Sequence, residues 1–318
     1  MKRVIALCLA LTALVAIPQA RADDFPSRPI RLIIGFPPGS AADITARLVG
    51  NHMSRTLGQQ VVVEVRAGAG SSLGAELVAR SPADGYTLFI GTLSNVTNAA
   101  VQTNLRFDFV KDFAAIVPLT GLPLILAVHP SLGVSNVKEF LELAKSKPGE
   151  LTYASVGPGT VGHLALELIS VRKGIKLVHV PYPGSPPGVA DLVAGRVSMT
   201  LGVSSTVMPH VQSGRLKALA SCSGKRILPD VPTIAESLVP GFECSVWFGL
   251  VAPAGTPRAV VDKLAAAANA ALKSDEVAGK LKAGGFEPLG GKPDEFAKFI
   301  AAETVKWADA AKAAGLKK

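Results

Sequence analysis

The chain has 318 residues, 48% of them hydrophobic and only 5% aromatic, with a formal charge of +9. Its length suits two domains of ordinary size, and its wealth of Val, Leu and Ala suits an α/β protein that can bury a sizeable core without disulfides. The basic residues are scattered, with no run and few interleaved aromatics, which argues against nucleic acid as a partner; a mildly positive field favours anionic ligands instead, although salt screens it.

Lys2 and Arg3 precede an apolar run from Ile5 to Ile17, and Ala20-Arg21-Ala22 has the small-x-small form of a cleavage site. Residues 1–22 therefore read as a secretory signal, because the apolar run is too short to span a membrane. Cys8 lies inside that run without lipobox-like residues before it, so lipid attachment is not indicated. Cleavage would leave 296 of the 318 residues, and the loss of Lys2, Arg3 and Arg21 lowers the charge from +9 to +6. The remaining cysteines are Cys222 and Cys244. In an oxidising compartment they could pair, but their spacing does not require it.

Strands and helices alternate along the mature chain. Ile30–Ile34 is a buried-type strand, and Ile44, Leu48, Met53 and Leu57 then repeat at helical spacing until Gly58. Val61–Val65 is the next strand; Gly68-Ala69-Gly70-Ser71-Ser72 leads to a helix with Leu73, Leu77 and Val78; Tyr86–Ile90 is a third strand. This βαβαβ order predicts a mostly parallel sheet with helices on both faces. The pattern becomes irregular from Pro118 to Pro123, and a second series starts at Leu124–Val128. It continues through a helix from Val137, strands at Leu151–Ser155 and Leu177–Val180, a helix over Val189–Val193, and strands at Val197–Leu201 and Leu216–Ala220. After a strand at Trp247–Val251, Thr256 reads as an N-cap and Pro257 as the first residue of a helix carrying Val260, Val261, Leu264, Ala268 and Leu272. Phe296, Ile300 and Trp307 form an apolar stripe on the last helix, expected to dock on the core.

Two glycine loops follow one plan, each coming after a strand and opening a helix: Phe36-Pro37-Pro38-Gly39-Ser40-Ala41-Ala42-Asp43 and Ser155-Val156-Gly157-Pro158-Gly159-Thr160-Val161-Gly162-His163. A helix N-terminus carries unpaired N–H groups and about half a positive charge, so two such ends on two lobes could hold one small carboxylate between them. Gly157-x-Gly159-x-x-Gly162 matches the dinucleotide fingerprint letter for letter, but the region about 20 residues on, Leu177–Tyr182, lacks the acidic residue that would bind the ribose. Pro158 also removes a backbone donor from the loop. No histidine lies three to five residues from another His or a Cys, so no metal site is expected. There is no Gly-x-Ser-x-Gly elbow. No catalytic residue and no cofactor is assigned. Asp43 in the first turn suits the helix dipole and would repel an anion, so it is expected to shape the loop or to receive a ligand hydroxyl or N–H.

Taken in order, several segments resemble the secreted receptors of tripartite tricarboxylate transporters, the Bug receptors. They are Pro26–Leu32, the Phe36–Asp43 loop, Gly58–Glu64, Pro82–Leu88, His179–Tyr182, Val231–Glu236 and Ala252–Pro257. The resemblance implies an α/β, two-lobed periplasmic binding protein of type II-like form, each lobe a mixed, mostly parallel sheet flanked by helices. It implies lobe 1 from 23–122 plus 227–318 and lobe 2 from 123–226. It further implies a monomeric receptor that closes on a small organic acid and delivers it to the membrane components of such a transporter. Carried over residue by residue, the ligand site comprises Pro38, Gly39, Ser40 and Asp43 on one lobe and Ser155, Gly159, Thr160 and His163 on the other, with Thr92, Ser94, Tyr182 and Gly184 completing the cleft. Two departures stand out: Ser40 replaces a glycine usual in the family, and Gly202 stands where the family often has an Asp, which disfavours an amino-acid ligand and leaves room for a bulkier acid. A periplasmic α/β enzyme acting on a small acid or ester is the alternative. The two differ in one expectation: a receptor's cleft should lack a nucleophile and base within hydrogen-bond reach.

Overall fold

The apolar run Ile30-Arg31-Leu32-Ile33-Ile34 forms strand β1, buried at every position except Arg31. It lies between two parallel neighbours, as an interior strand covered on both faces should. The computed structural model describes residues 25–102, 104–224 and 226–313; the expected signal over 1–22 lies outside them. After β1 come α1 (Ala41–Leu57), β2 (Val61–Val65), α2 (Ser72–Ala79), β3 (Thr87–Thr92), α3 (Leu93–Val101) and β4 (Phe113–Val128). Then follow α4 (Val137–Ser146), β5 (Thr152–Ser155), α5 (Val161–Lys173), β6 (Val178–Pro181), α6 (Ser185–Val193), β7 (Met199–Val203), α7 (Ser204–Gln212) and β8 (Lys217–Cys222). The chain ends with α8 (Ile234–Ser237), β9 (Ser245–Pro253), α9 (Arg258–Lys273), α10 (Asp275–Ala283), β10 (Glu287–Pro288) and α11 (Pro293–Ala313).

The strands follow the order β2-β1-β3-β9-β4-β7-β5-β6, with β8 and β10 also paired to β4. Both wings are parallel, β2-β1-β3 on one side and β7-β5-β6 on the other, and β4 and β9 join them antiparallel. The expected mixed α/β architecture is therefore present, with parallel pairing concentrated at the wings.

The irregular stretch from Pro118 to Pro123 is part of a single strand. β4 pairs with β9 from Phe113 to Pro123 and with β7 and β8 from Leu124 to Val128, so it changes partners between Pro123 and Leu124. Its register shifts between Pro118 and Thr120. Proline donates no ladder bond and is tolerated at such irregularities, which is why this stretch does not read as a strand in sequence.

The main core runs through both wings, and a smaller one forms where Ile125, Ala154, Val189, Leu192 and Val207 meet beneath α6 and α7. Phe296, Ile300 and Trp307 are buried, and α11 packs on α3 and β4, as its apolar stripe predicts. Several details differ from the sequence reading: α6 starts at Ser185, ahead of Val189, and α3 and α7 occupy stretches with no expected element. Helix α9 starts at Arg258 with Pro257 as N-cap, because the Thr256 hydroxyl turns back to donate to the Pro253 carbonyl at 2.7 Å. Cys222 and Cys244, whose pairing the spacing left open, form a disulfide; the tertiary fold brings the end of β8 beside the segment entering β9.

Candidate functional site

The two glycine loops are built alike. In the first, Gly39 adopts a left-handed φ of 78° and its N–H donates to Asp43 Oδ2 at 3.0 Å, while the Ser40 hydroxyl caps α1 by accepting from the Asp43 N–H. In the second, Gly159 adopts φ 80° and its N–H donates to His163 Nδ1 at 3.3 Å. Each loop is thus fastened by a side chain four residues on, in the first turn of its helix. Asp43 is further held by Arg47 at 2.7 Å, so its carboxylate is committed to the loop. The second loop is tightened by Thr160 Oγ1, which donates to the Gly157 carbonyl at 2.7 Å, and by the Gly157 N–H, which donates to Ser155 Oγ at 3.1 Å.

The loops meet across one cleft. A Cβ on Gly184 would lie 2.5 Å from the Pro37 ring, one on Gly70 would lie 3.1 Å from the Thr160 methyl, and one on Gly157 would lie 3.6 Å from the Gly70 nitrogen. Gln102 Nε2 also donates to the Pro158 carbonyl at 3.4 Å. Between the loops is a cavity with about 690 Å³ of unfilled space, part of it open to solvent.

Five of the residues named from sequence line that cavity: Ser40, Ser94, Ser155, Thr160 and Gly184. Ala41 and Ala42 of α1, Val161 and Gly162 of α5, and Ser185 of α6 line it as well; with Ser94 of α3, the first turns of four helices border one space. Their orphan N–H groups and dipoles make it electropositive without a cationic side chain. Pro38, Gly39 and Asp43 of the first loop and Gly159 and His163 of the second do not line the cavity. Thr92, fully buried, forms the capping box of α3 with Asn95, and the Tyr182 hydroxyl donates to Asp191 at 2.7 Å. The sequence reading missed the apolar walls, which include Phe36, Leu124, Val189, Val246 and Phe248. Leu124, Val246 and Phe248 arrive on β4 and β9, where they read as ordinary core residues.

The fingerprint-like glycines also have a structural explanation. A Cβ on Gly162 would lie 2.6 Å from the Leu201 carbonyl, so this glycine lets α5 pack closely on β7.

One expectation for a receptor is not met. Ser155 Oγ lies 2.6 Å from His179 Nε2, so a nucleophile and a base are within hydrogen-bond reach. His179 stacks on Tyr153, with ring centroids 4.9 Å apart, and lies 4.4 Å from the His163 ring. Burial, reinforced by His163, pushes its pKa down to about 4, and burial also lowers that of His163. Tyr153 in turn donates to Glu167 at 2.5 Å, and burial holds its phenol well above the usual range. A base this weak is poorly matched to proton abstraction near neutral pH. Among the described residues no carboxylate is hydrogen-bonded to His179 to orient it, and Ser155 Oγ already serves the Gly157 N–H.

The chain matches the family model for the tripartite tricarboxylate transporter family receptor over residues 45–316. It is 41% identical over 310 residues to the UPF0065 protein in the tcbD-tcbE intergenic region of Pseudomonas sp. strain P51, covering 96% of this chain and 92% of the relative. It is 36% identical to Protein BugT of Bordetella pertussis, covering 96% and 95%. Among solved structures, R. palustris Rpa4515 with adipate superposes with a TM-score of 0.88 at 37% identity, covering 92% of this chain and 99% of that one. MatC from Rhodopseudomonas palustris with bound malate superposes with a TM-score of 0.84 at 31% identity, covering 90% and 99%. With its two-lobed α/β fold, the chain belongs to the receptor family of the tripartite tricarboxylate transporters.

Proposed function

We propose that this protein is a periplasmic solute-binding receptor that captures a small organic carboxylate between its lobes and delivers it to the membrane components of a tripartite tricarboxylate-type transporter. The observation that carries this reading is the convergence of the α1, α3, α5 and α6 first turns on one cavity that no ionisable side chain lines. Such a site neutralises an anion with backbone N–H groups and helix dipoles, and gives it up without breaking a buried ion pair. The adipate and malate held by the two solved relatives support a carboxylate as the ligand class. The partner change in β4 between Pro123 and Leu124 lies one residue from the first proposed crossing; lobe 1 comprises 23–122 and 227–318 and lobe 2 comprises 123–226. In this reading Ser40, Ser94, Ser155, Thr160 and Gly184 face the ligand. Pro38, Gly39, Asp43, Thr92, Gly159, His163 and Tyr182 shape the surfaces behind them. The receptor acts as an exported monomer after loss of residues 1–22.

A thermal-shift screen of protein freed of co-purified ligand tests the proposal. A bound acid at a hundredfold excess over Kd stabilises the fold by about 2.7 kcal/mol. The absence of a shift with mono-, di- and tricarboxylates and aromatic acids would overturn it. The Ser155–His179 pair favours a second reading, an enzyme acting on a small ester or acid. Turnover of a carboxylic ester that is lost in Ser155→Ala would establish that reading; inertness with retained acid binding leaves the receptor.

A further inference from the structure

Resting on the receptor reading above, we infer that the cleft selects a carboxylate whose body is bare hydrocarbon, alkyl or aryl, over one carrying hydroxyl or ammonium groups. The two solved relatives hold one acid of each kind, adipate and malate, so the shared fold does not decide between them. The lining of this particular cavity does.

Its walls away from the helix ends are Phe36, Leu124, Val189, Leu201, Val246 and Phe248. None of the lining residues is Asp, Glu, His, Lys or Arg. An ammonium group would therefore find no counter-charge. The nearest loop carboxylate, Asp43, lies outside the lining and is committed to Gly39 and Arg47. At Gly202, which lines the cavity, there is no side chain to receive one.

Most hydroxyls of the lining are already engaged in at least one hydrogen bond within the protein, which fixes their orientation. Ser40 Oγ accepts from the Asp43 N–H, Ser155 Oγ is held between Gly157 and His179, Thr160 Oγ1 donates to Gly157, and Thr200 Oγ1 donates to the Ala154 carbonyl at 2.9 Å. Among the described residues, Ser94 and Ser185 are the lining positions whose hydroxyls have no partner within the protein, and both stand in the first turns of helices, where an acid group is drawn. A hydroxyl on the ligand's body would give up its water for contact with Leu124, Val189 or Phe248, and a polar group buried without a partner weakens binding. An alkyl or aryl body gains from the same walls.

Matched series with a constant number of carboxylates test this. One is succinate, malate and aspartate; the other is 3-phenylpropionate, 3-phenyllactate and phenylalanine. Isothermal titration of ligand-free protein at fixed salt should show, in whichever series binds, the unsubstituted acid at least tenfold tighter than its hydroxy analogue and no binding of the amino analogue. Equal or tighter binding of a hydroxy or amino acid overturns the inference and leaves the receptor reading standing. Failure of every acid in both series, together with a negative carboxylate screen, defeats the receptor reading and this inference with it.

Discussion

At the scale of single residues, small differences in side-chain volume and basicity control the cleft. Gly184 has extended backbone, with φ 179°, so alanine is tolerated there conformationally. Its new Cβ, however, would sit 2.5 Å from the stiff Pro37 ring on the facing loop. Gly184→Ala should therefore leave the melting temperature of ligand-free protein nearly unchanged and weaken acid binding at least tenfold by holding the loops apart; unchanged affinity by calorimetry would place the ligand elsewhere. Gly159→Val combines a left-handed φ of 80° with a Cβ 2.6 Å from Val101 and 2.7 Å from Asn98, so it should distort the second loop and abolish acid binding. Native acid binding by this variant would show that the second loop is not part of the site. His179 provides a pH test. Its folded pKa is about 4 against a reference of 6.5, so between those values the unfolded chain takes up a proton that the folded chain refuses. Its contribution to stability is thus lost as pH falls from 6.5 towards 4 and changes no further below that. Because it packs against Tyr153 and His163, the comparison needs a variant of similar shape. His179→Gln should lose less melting temperature across that window than the parent; equal losses would mean that the imidazole titrates normally.

At the scale of elements, local signals held wherever one segment decides its own conformation. The Gly58 end of α1 and the spacing of Ile44, Leu48 and Met53 are readable within one short stretch, and α1 forms over Ala41–Leu57 with Ser40 as its cap. The misreadings arose where distant partners intervene. β4 is irregular in sequence because Pro118 borders a register shift beside β9 and Pro123 sits where the strand changes partners, and α9 starts late because Thr256 is claimed by Pro253. The disulfide belongs here too. It closes a loop of 22 residues around α8, and removing such a constraint from the unfolded chain costs about 3 kcal/mol in the chain-entropy account. Cys222→Ala with Cys244→Ala should lower unfolding free energy by about that amount in urea titration. A double variant as stable as the parent would show that the core around Leu124 and Trp247 holds these segments unaided.

At the scale of the whole molecule, the loops of the two wings touch through Gly70, Gly157, Gly184 and Pro37, a closed arrangement around the cavity. If closure accompanies capture, small-angle scattering of ligand-free protein should give a larger radius of gyration than the same sample saturated with acid, and identical radii would rule out a hinged cleft. Within the chain, hydrophobic periodicity and turn chemistry were enough to specify alternating strands and helices and two helix-opening glycine loops, because these depend on residues a few positions apart. The ordered segments that resemble the receptor family carried the function class for the same reason. The cavity's character lay beyond reach of that reading. Leu124, Val246 and Phe248 come from strands more than a hundred residues apart, Ser155 and His179 meet only because β5 pairs with β6, and Cys222 finds Cys244 only through β4 and β9. Long-range pairing selects those neighbours, and no local pattern encodes which strand a given apolar run will lie beside.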